Sequence, residues 1–203
     1  MTTTWRLGRT VDEGAAAPRV IRRTAVKAVV TSRGRLLLLS TTVGYKFPGG
    51  GVLAGEGHET ALRRELDEEC GLDLASMADR LLVVVECHPS VEEQGALFEM
   101  TSHYYSSTVH DRPCRTQRLD AYEAELGLTP EWADPLHAVR VNHAAVRQRP
   151  PKALPTWVAR ELAVLQYVLA RRLAHRPASQ APAPEVSRPA TAPATTPIAT
   201  SPG

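Results

Sequence analysis

Residues 50–72 read GGVLAGEGHETALRRELDEECGL, and within them RRELDEE crowds Glu65, Asp67, Glu68 and Glu69 into little more than one helical turn. Like charges four apart on a helix repel by a few tenths of a kcal/mol per pair. Such crowding marks either a solvated acidic face or a seat for a cation that the chain itself does not supply. The spacing predicts a helix over 58–70, with Gly71 where a left-handed C-terminal cap is wanted. On that helix Glu65, Glu68 and Glu69 fall at i, i+3 and i+4 and share a face. Leu62 and Leu66 form an apolar stripe beside them that pins the helix to a core, so the acidic face lines the edge of a cleft. Asp67 points away from the cluster, toward solvent. Clustered carboxylates suit a hard divalent cation such as Mg2+, which prefers oxygen ligands.

Just upstream, Gly49, Gly50 and Gly51 follow Pro48. Without side chains, their backbone can approach a metal or a phosphate closely. Glu56 and Arg64 have opposite charges and are expected to pair, tying the glycine loop to the helix.

These residues resemble the Nudix hydrolase family, whose pattern is G-x5-E-x7-R-E-U-x-E-E-x-G-U with U aliphatic. Gly50, Glu56, Arg64, Glu65, Leu66, Glu68, Glu69, Gly71 and Leu72 fill every fixed position. With seven fixed identities at roughly 7% usage each, chance gives about one match in 10^8 per starting position. The resemblance implies an α/β/α sandwich with a mixed sheet between helices, and hydrolysis of a nucleoside diphosphate linked to another group. It implies Glu65, Glu68 and Glu69 as ligands of Mg2+ (or Mn2+), the Gly50 carbonyl as a further ligand, and Glu56–Arg64 as the orienting ion pair. The metals would polarise a phosphoryl oxygen and acidify an attacking water. Leu53 stands where many members carry an acidic residue, a departure expected to change loop contacts and not the chemistry.

Around this box, TAVKAVVT (24–31) and RLLLLS (35–40) read as strands joined at Ser32-Arg33-Gly34. GYKF (44–47) reads as a short strand entering the glycine loop, and RLLVVVECH (80–88) and LFEMTSHYYSSTV (97–109) as two longer ones. A further strand is expected near PLHAVRV (135–141). Residues 157–174 carry apolar side chains at 158, 162, 165, 169 and 173, an amphipathic helix whose stripe packs on the sheet. Residues 1–19 lack periodicity and read as a loose lead-in to a hydrolase domain at 20–175. The Pro-, Ala- and Thr-rich segment 176–203 reads as a disordered tail.

Outside the box, the family's general base varies in position. LDAYEAELGLTPEWADPLHAV (119–139) resembles a later family stretch in which a glutamate precedes a tryptophan. Glu123 is the first candidate for water activation and Glu125 the second, with Glu92 and Glu93 as rivals. Arg22 and Arg23, placed before the first strand, and Lys46, beside the glycine loop, are candidates for substrate phosphate. Of Tyr104 and Tyr105, one is expected in the core and the other toward the cleft. His88, His103, His110, Cys87 and Cys114 show no ligand spacing and read as structural. Pro89 gives only a slight lean toward an ADP-ribose-like substrate.

A net charge of +2 over 203 residues gives no broad pull toward nucleic acid or an anionic membrane. Three cysteines without CxxC spacing argue against a disulfide framework or structural zinc. The expected protein is therefore cytoplasmic, acts on a small nucleotide, and binds neither nucleic acid nor membrane; a homodimer is compatible with the chain. The competing class is a sensor module that binds nucleotide through the same fold without turnover. A diphosphate isomerase is a third reading, and both generally go with an altered box.

Overall fold

The computed structural model describes residues 3–8, 19–110, 115–148 and 155–174. Its elements run β1 (Thr3–Gly8), β2 (Val20–Ser32), β3 (Arg35–Ser40), β4 (Tyr45–Lys46), α1 (His58–Cys70), β5 (Leu74–Pro89), β6 (Leu97–Val109), α2 (Ala121–Leu126), β7 (Thr129–Ala133), α3 (Pro135–Gln148) and α4 (Trp157–Ala174). The seven strands form a mixed sheet in the order β1-β5-β6-β2-β3-β4, with β7 also paired to β3. The β1–β5 and β2–β6 pairs are parallel; the rest are antiparallel.

Alternation along the strands divides two cores. Val26, Ala28, Val30, Leu37 and Leu39 pack with Ala61, Leu62 and Leu66 of α1. Val29, Leu36, Leu38, Leu82, Val84 and Tyr104 pack with Ala138 of α3 and Val164, Leu165 and Val168 of α4. Because both faces of the strands are covered, they read as near-continuous apolar runs. The expected α/β/α sandwich with a mixed sheet is the fold observed.

One irregularity positions the site. β2 meets β3 only at Thr31 and Ser32. Farther back along β2, the glycine loop takes over the edge: Val26 N–H donates to the Gly50 carbonyl (3.0 Å), Ala28 N–H to that of Pro48 (2.9 Å), and Val52 N–H to that of Thr24 (2.9 Å). The glycine loop is thus held as a pseudo-strand, and buried backbone groups that would otherwise lack partners are satisfied.

Several sequence expectations change. Thr3–Gly8, placed in a loose lead-in, is a strand paired with Leu82–Cys87; six residues with only Trp5 and Leu7 pointing inward are too short to register as a pattern. PLHAVRV begins helix α3 instead of a strand. Asp134 caps it by accepting from His137 N–H (2.8 Å), and Pro135 takes the first helical position, where no N–H is needed. β2 begins at Val20, so Arg22 and Arg23 lie within it and not before it. The buried stripe of α4 is Val158, Glu161, Val164, Leu165 and Val168, rotated from the expected one, with positions 162 and 169 at its flanks. The expected tail at 176–203, lead-in residues 9–18 and Cys114 lie outside the described residues. Among the described residues no helix is long and apolar enough to cross a membrane.

Candidate active site

Helix α1 supplies the centre. Its C-terminus closes on Gly71 (φ 64°), with Gly71 N–H bonded to the Asp67 carbonyl and Leu72 N–H to that of Leu66 (3.1 Å). This is the left-handed cap anticipated from the sequence. Leu62 and Leu66 are fully buried, so the helix cannot turn its acidic face away from the sheet. Glu65 and Glu69 are therefore buried as well, at 7% and 1% exposure.

Glu65, Glu69 and Glu123 each place a carboxylate oxygen within 4.8 Å of the others. Three carboxylates at that separation repel unless protonated or neutralised by a cation. Burial, then the neighbouring Glu69, raises the pKa of Glu65. Burial likewise raises that of Glu123, with Glu69 adding to it. Glu69 Oε2 accepts from Gly49 N–H at 2.5 Å. Its Oε1 is buried with no hydrogen bond, although the Lys46 ammonium lies 3.2 Å away. Burial is the largest influence on Lys46 and opposes its charge, but Glu69, Glu161 and Glu123 together outweigh it and its pKa rises.

The glycine loop fits closely around this centre. Gly49 has φ 123°, open only to glycine. A Cβ on Gly50 would stand 2.5 Å from the Glu65 carboxylate. The Arg64 guanidinium binds both Glu56 oxygens at 3.0 Å and also reaches Glu65 (2.7 Å), Glu68 (3.1 Å) and the Gly51 carbonyl (2.9 Å). This bidentate contact holds the Glu56 carboxyl below the usual carboxylate range. The expected Glu56–Arg64 pair is therefore present and ties loop to helix. Leu53 is exposed and its N–H donates to Glu56 (3.0 Å), so the departure at that position leaves the pair intact.

The remaining candidates separate. Glu68 is held by Arg64 at the rim, a third exposed. Glu123 is brought to the cluster by α2, where it completes a capping box with Asp120. Glu125, one helical step away, is exposed. Glu92 bonds Arg23 (2.9 Å), Glu93 bonds Arg19 (3.1 Å), and Arg22 pairs with Glu99 (3.2 Å), all on an exposed surface. Asp67, expected in solvent, is instead gripped by Arg115 and Arg118 from the chain after β6, and Arg118 first lowers its pKa. Tyr104 and Tyr105 are both buried, one in each core, so neither faces the cleft, contrary to expectation; Tyr105 packs on the α1 side, where it bonds His58 (2.7 Å).

Two buried charges beside the loop escaped the sequence reading. Lys27 donates from its ammonium to the Gly49 carbonyl, and burial, then Lys46, lowers its pKa to about 8. Glu161 of α4 accepts from Phe47 N–H at 3.0 Å. Each carried a signal in the sequence: a lysine inside an apolar strand, and a glutamate three and four residues from Val158 and Leu165 on one helix stripe.

The chain matches the NUDIX domain over residues 21–157. It belongs to the Nudix hydrolase family. Similar solved structures include a Nudix hydrolase from Nitrosomonas europaea, at 17% identity and TM-score 0.48, covering 77% of this chain and 92% of that one. Another is the dihydroneopterin triphosphate pyrophosphohydrolase of E. coli, at 16% identity and TM-score 0.48, covering 73% and 95%. A third is an ADP-ribose pyrophosphatase from Streptococcus suis, at 13% identity and TM-score 0.43, covering 72% and 91%. No curated protein matches the chain.

Proposed function

We propose that this chain is a Mg2+-dependent pyrophosphohydrolase, with Mn2+ as an alternative metal, acting in the cytoplasm on a nucleoside diphosphate linked to another group. An ADP-ribose-like compound or a nucleoside triphosphate fits that class. The observation that carries the reading is the convergence of Glu65, Glu69 and Glu123 within 4.8 Å, the first two from a box filled at every fixed position, with the Lys46 ammonium 3.2 Å from Glu69 Oε1. Three carboxylates converging beside that ammonium leave negative charge for a further cation to offset. The donors are all oxygens, as a hard divalent cation prefers. Glu65, Glu68, Glu69 and the Gly50 carbonyl would hold that cation, which when bound supplies neutralisation of the diphosphate and a more acidic water.

The chain's own groups divide the remaining work. Arg64 and Glu56 hold the glycine loop against α1. Glu123, its carboxyl raised above the usual carboxylate range chiefly by burial, takes the proton from the attacking water. Lys46 contacts a phosphate oxygen. Arg23 is bonded to Glu92 and is left out of that contact.

The test is a substrate panel of ADP-ribose, nucleotide sugars, dinucleoside polyphosphates and (deoxy)nucleoside triphosphates with Mg2+. Release of nucleoside monophosphate, pyrophosphate or phosphate is expected from at least one member, lost with a chelator and restored by added Mg2+. Tight nucleotide binding without turnover across the panel would replace this reading with the sensor module.

A further inference from the structure

The family match ends at residue 157, where α4 begins, yet α4 reaches the wall behind the active site. The point of contact is an unfinished edge. β4 is only Tyr45 and Lys46, paired on one side to β3. Among the described residues no strand pairs with its other edge, and the backbone groups there are satisfied by side chains. Asn142 of α3 accepts from Tyr45 N–H (2.7 Å) and donates to the Tyr45 carbonyl (2.8 Å). Two residues on, Phe47 N–H donates to Glu161 Oε2 (3.0 Å). Phe47 is fully buried, so this N–H has no access to water. Immediately after it the backbone leaves β4 and crosses to β2, placing Gly49 and Gly50 against Glu69 and Glu65.

Glu161 is itself fixed from the opposite side. Its Oε1 accepts from Tyr104 OH (3.1 Å) and from the Arg160 guanidinium (3.0 and 3.1 Å), and Arg160 in turn binds Glu86 of β5. One oxygen is therefore anchored to the sheet and the other is presented to the loop. The side chain is fully buried.

We infer that Glu161 is a positioning residue: by holding Phe47 N–H it fixes where the glycine loop places the Gly49 and Gly50 backbone beside the α1 carboxylates. The active site thus depends on a helix outside the family-matched segment. The kinetic consequences rest on the pyrophosphohydrolase reading; the positioning itself does not.

The deciding variants are Glu161→Asp, which keeps the charge but withdraws the carboxylate by one methylene, and Tyr104→Phe, which removes a bond to the other oxygen. Misplacing groups by about 1 Å near a reacting centre costs up to about 10^2 in rate. Glu161→Asp is expected to lower kcat/KM by about that scale, to weaken Mn2+ binding followed by electron paramagnetic resonance, and to speed amide exchange at Phe47. Tyr104→Phe keeps Glu161 Oε2 on the Phe47 N–H and Arg160 on Oε1, and is expected to move all three measurably less than Glu161→Asp does. Equal losses in both variants, or unchanged Mn2+ affinity and Phe47 exchange in folded Glu161→Asp, would overturn the inference. Amide exchange of the unmodified protein gives an arm that needs no variant: a Phe47 amide exchanging as fast as an exposed loop also overturns it. If the unmodified protein neither binds Mn2+ nor turns over, the functional reading fails while the exchange result still decides this one.

Discussion

Two groups of buried acids lie on either side of the glycine loop, and they are handled in opposite ways. On the α4 side, Glu86 and Glu161 share Arg160, and the remaining Glu161 oxygen takes the Phe47 N–H. Burial raises the pKa of Glu86, and Arg160 pulls against that rise. On the α1 side, Glu65, Glu69 and Glu123 converge with one oxygen unbonded, and Arg64 is already divided among three carboxylates. The first group is complete within the chain. The second sets Lys46, 3.2 Å from Glu69, and a share of Arg64 against three converging carboxylates, an excess of negative charge that suits the proposed external cation.

The sharpest way to break this contrast is to remove one charge from each side. Glu69→Gln relieves the repulsion among three converging carboxylates but leaves Lys46 without its partner at 3.2 Å, so its effects on metal-free stability oppose one another and turnover is the deciding readout. Its turnover should fall by about 10^3 or more, the scale of losing a preorganised charge at the reacting centre. Mg2+ should also raise the melting temperature of the parent and not that of the variant, since only a state that binds ligand is stabilised by it. Near-parental activity in Glu69→Gln would remove it from the metal-ligand set. Arg160→Met is the converse experiment. It leaves Glu86 and Glu161 buried without their cation and should cost about 3–5 kcal/mol of stability, read by chemical denaturation. If Arg160→Met were neutral in stability, the α4 network would not be the closed system described.

The α1 side was legible in the sequence because its chemistry is local. Gly50 to Leu72 lie within one loop and one helix, so spacing alone gives the shared face of Glu65 and Glu69, the reach of Arg64 to Glu56 and the cap at Gly71. Glu123 was reachable only by resemblance, since its approach depends on how α2 folds back over α1. The α4 side was illegible for the same physical reason carried further. Glu161 meets Phe47 across 114 positions and Arg160 meets Glu86 across 74. No periodicity records such a meeting; the only trace is a charged residue on an apolar stripe. Asp67 shows the reverse failure, where helical geometry placed it in solvent and a later loop brought Arg115 and Arg118 to it. The reading of PLHAVRV as a strand failed because a short apolar run fits both periods until its cap is considered.

A third cluster inverts the sign and refines the comparison. His58 and His103 lie with ring centroids 4.6 Å apart near Arg80, whose guanidinium is 3.3 Å from His103 Nδ1. Here the excess charge would be positive, and a histidine can discard it. Burial, then His58 and Arg80, lowers the His103 pKa from 6.5 to about 4. With the folded value below the unfolded one, the unfolded chain binds the extra proton first as pH falls. Stability is therefore full above pH 6.5 and declines as pH falls through the interval down to about 4. His103 is partly exposed, so solvent screens the effect and the decline is modest. His103→Gln should flatten that part of the stability profile without changing turnover, measured as melting temperature against pH. A profile with the same slope in both proteins would mean that His103 does not carry the effect. The contrast with Glu69 is one of means: His103 relieves its crowding by losing a proton, whereas Glu65, Glu69 and Glu123 are proposed to be relieved by a bound cation.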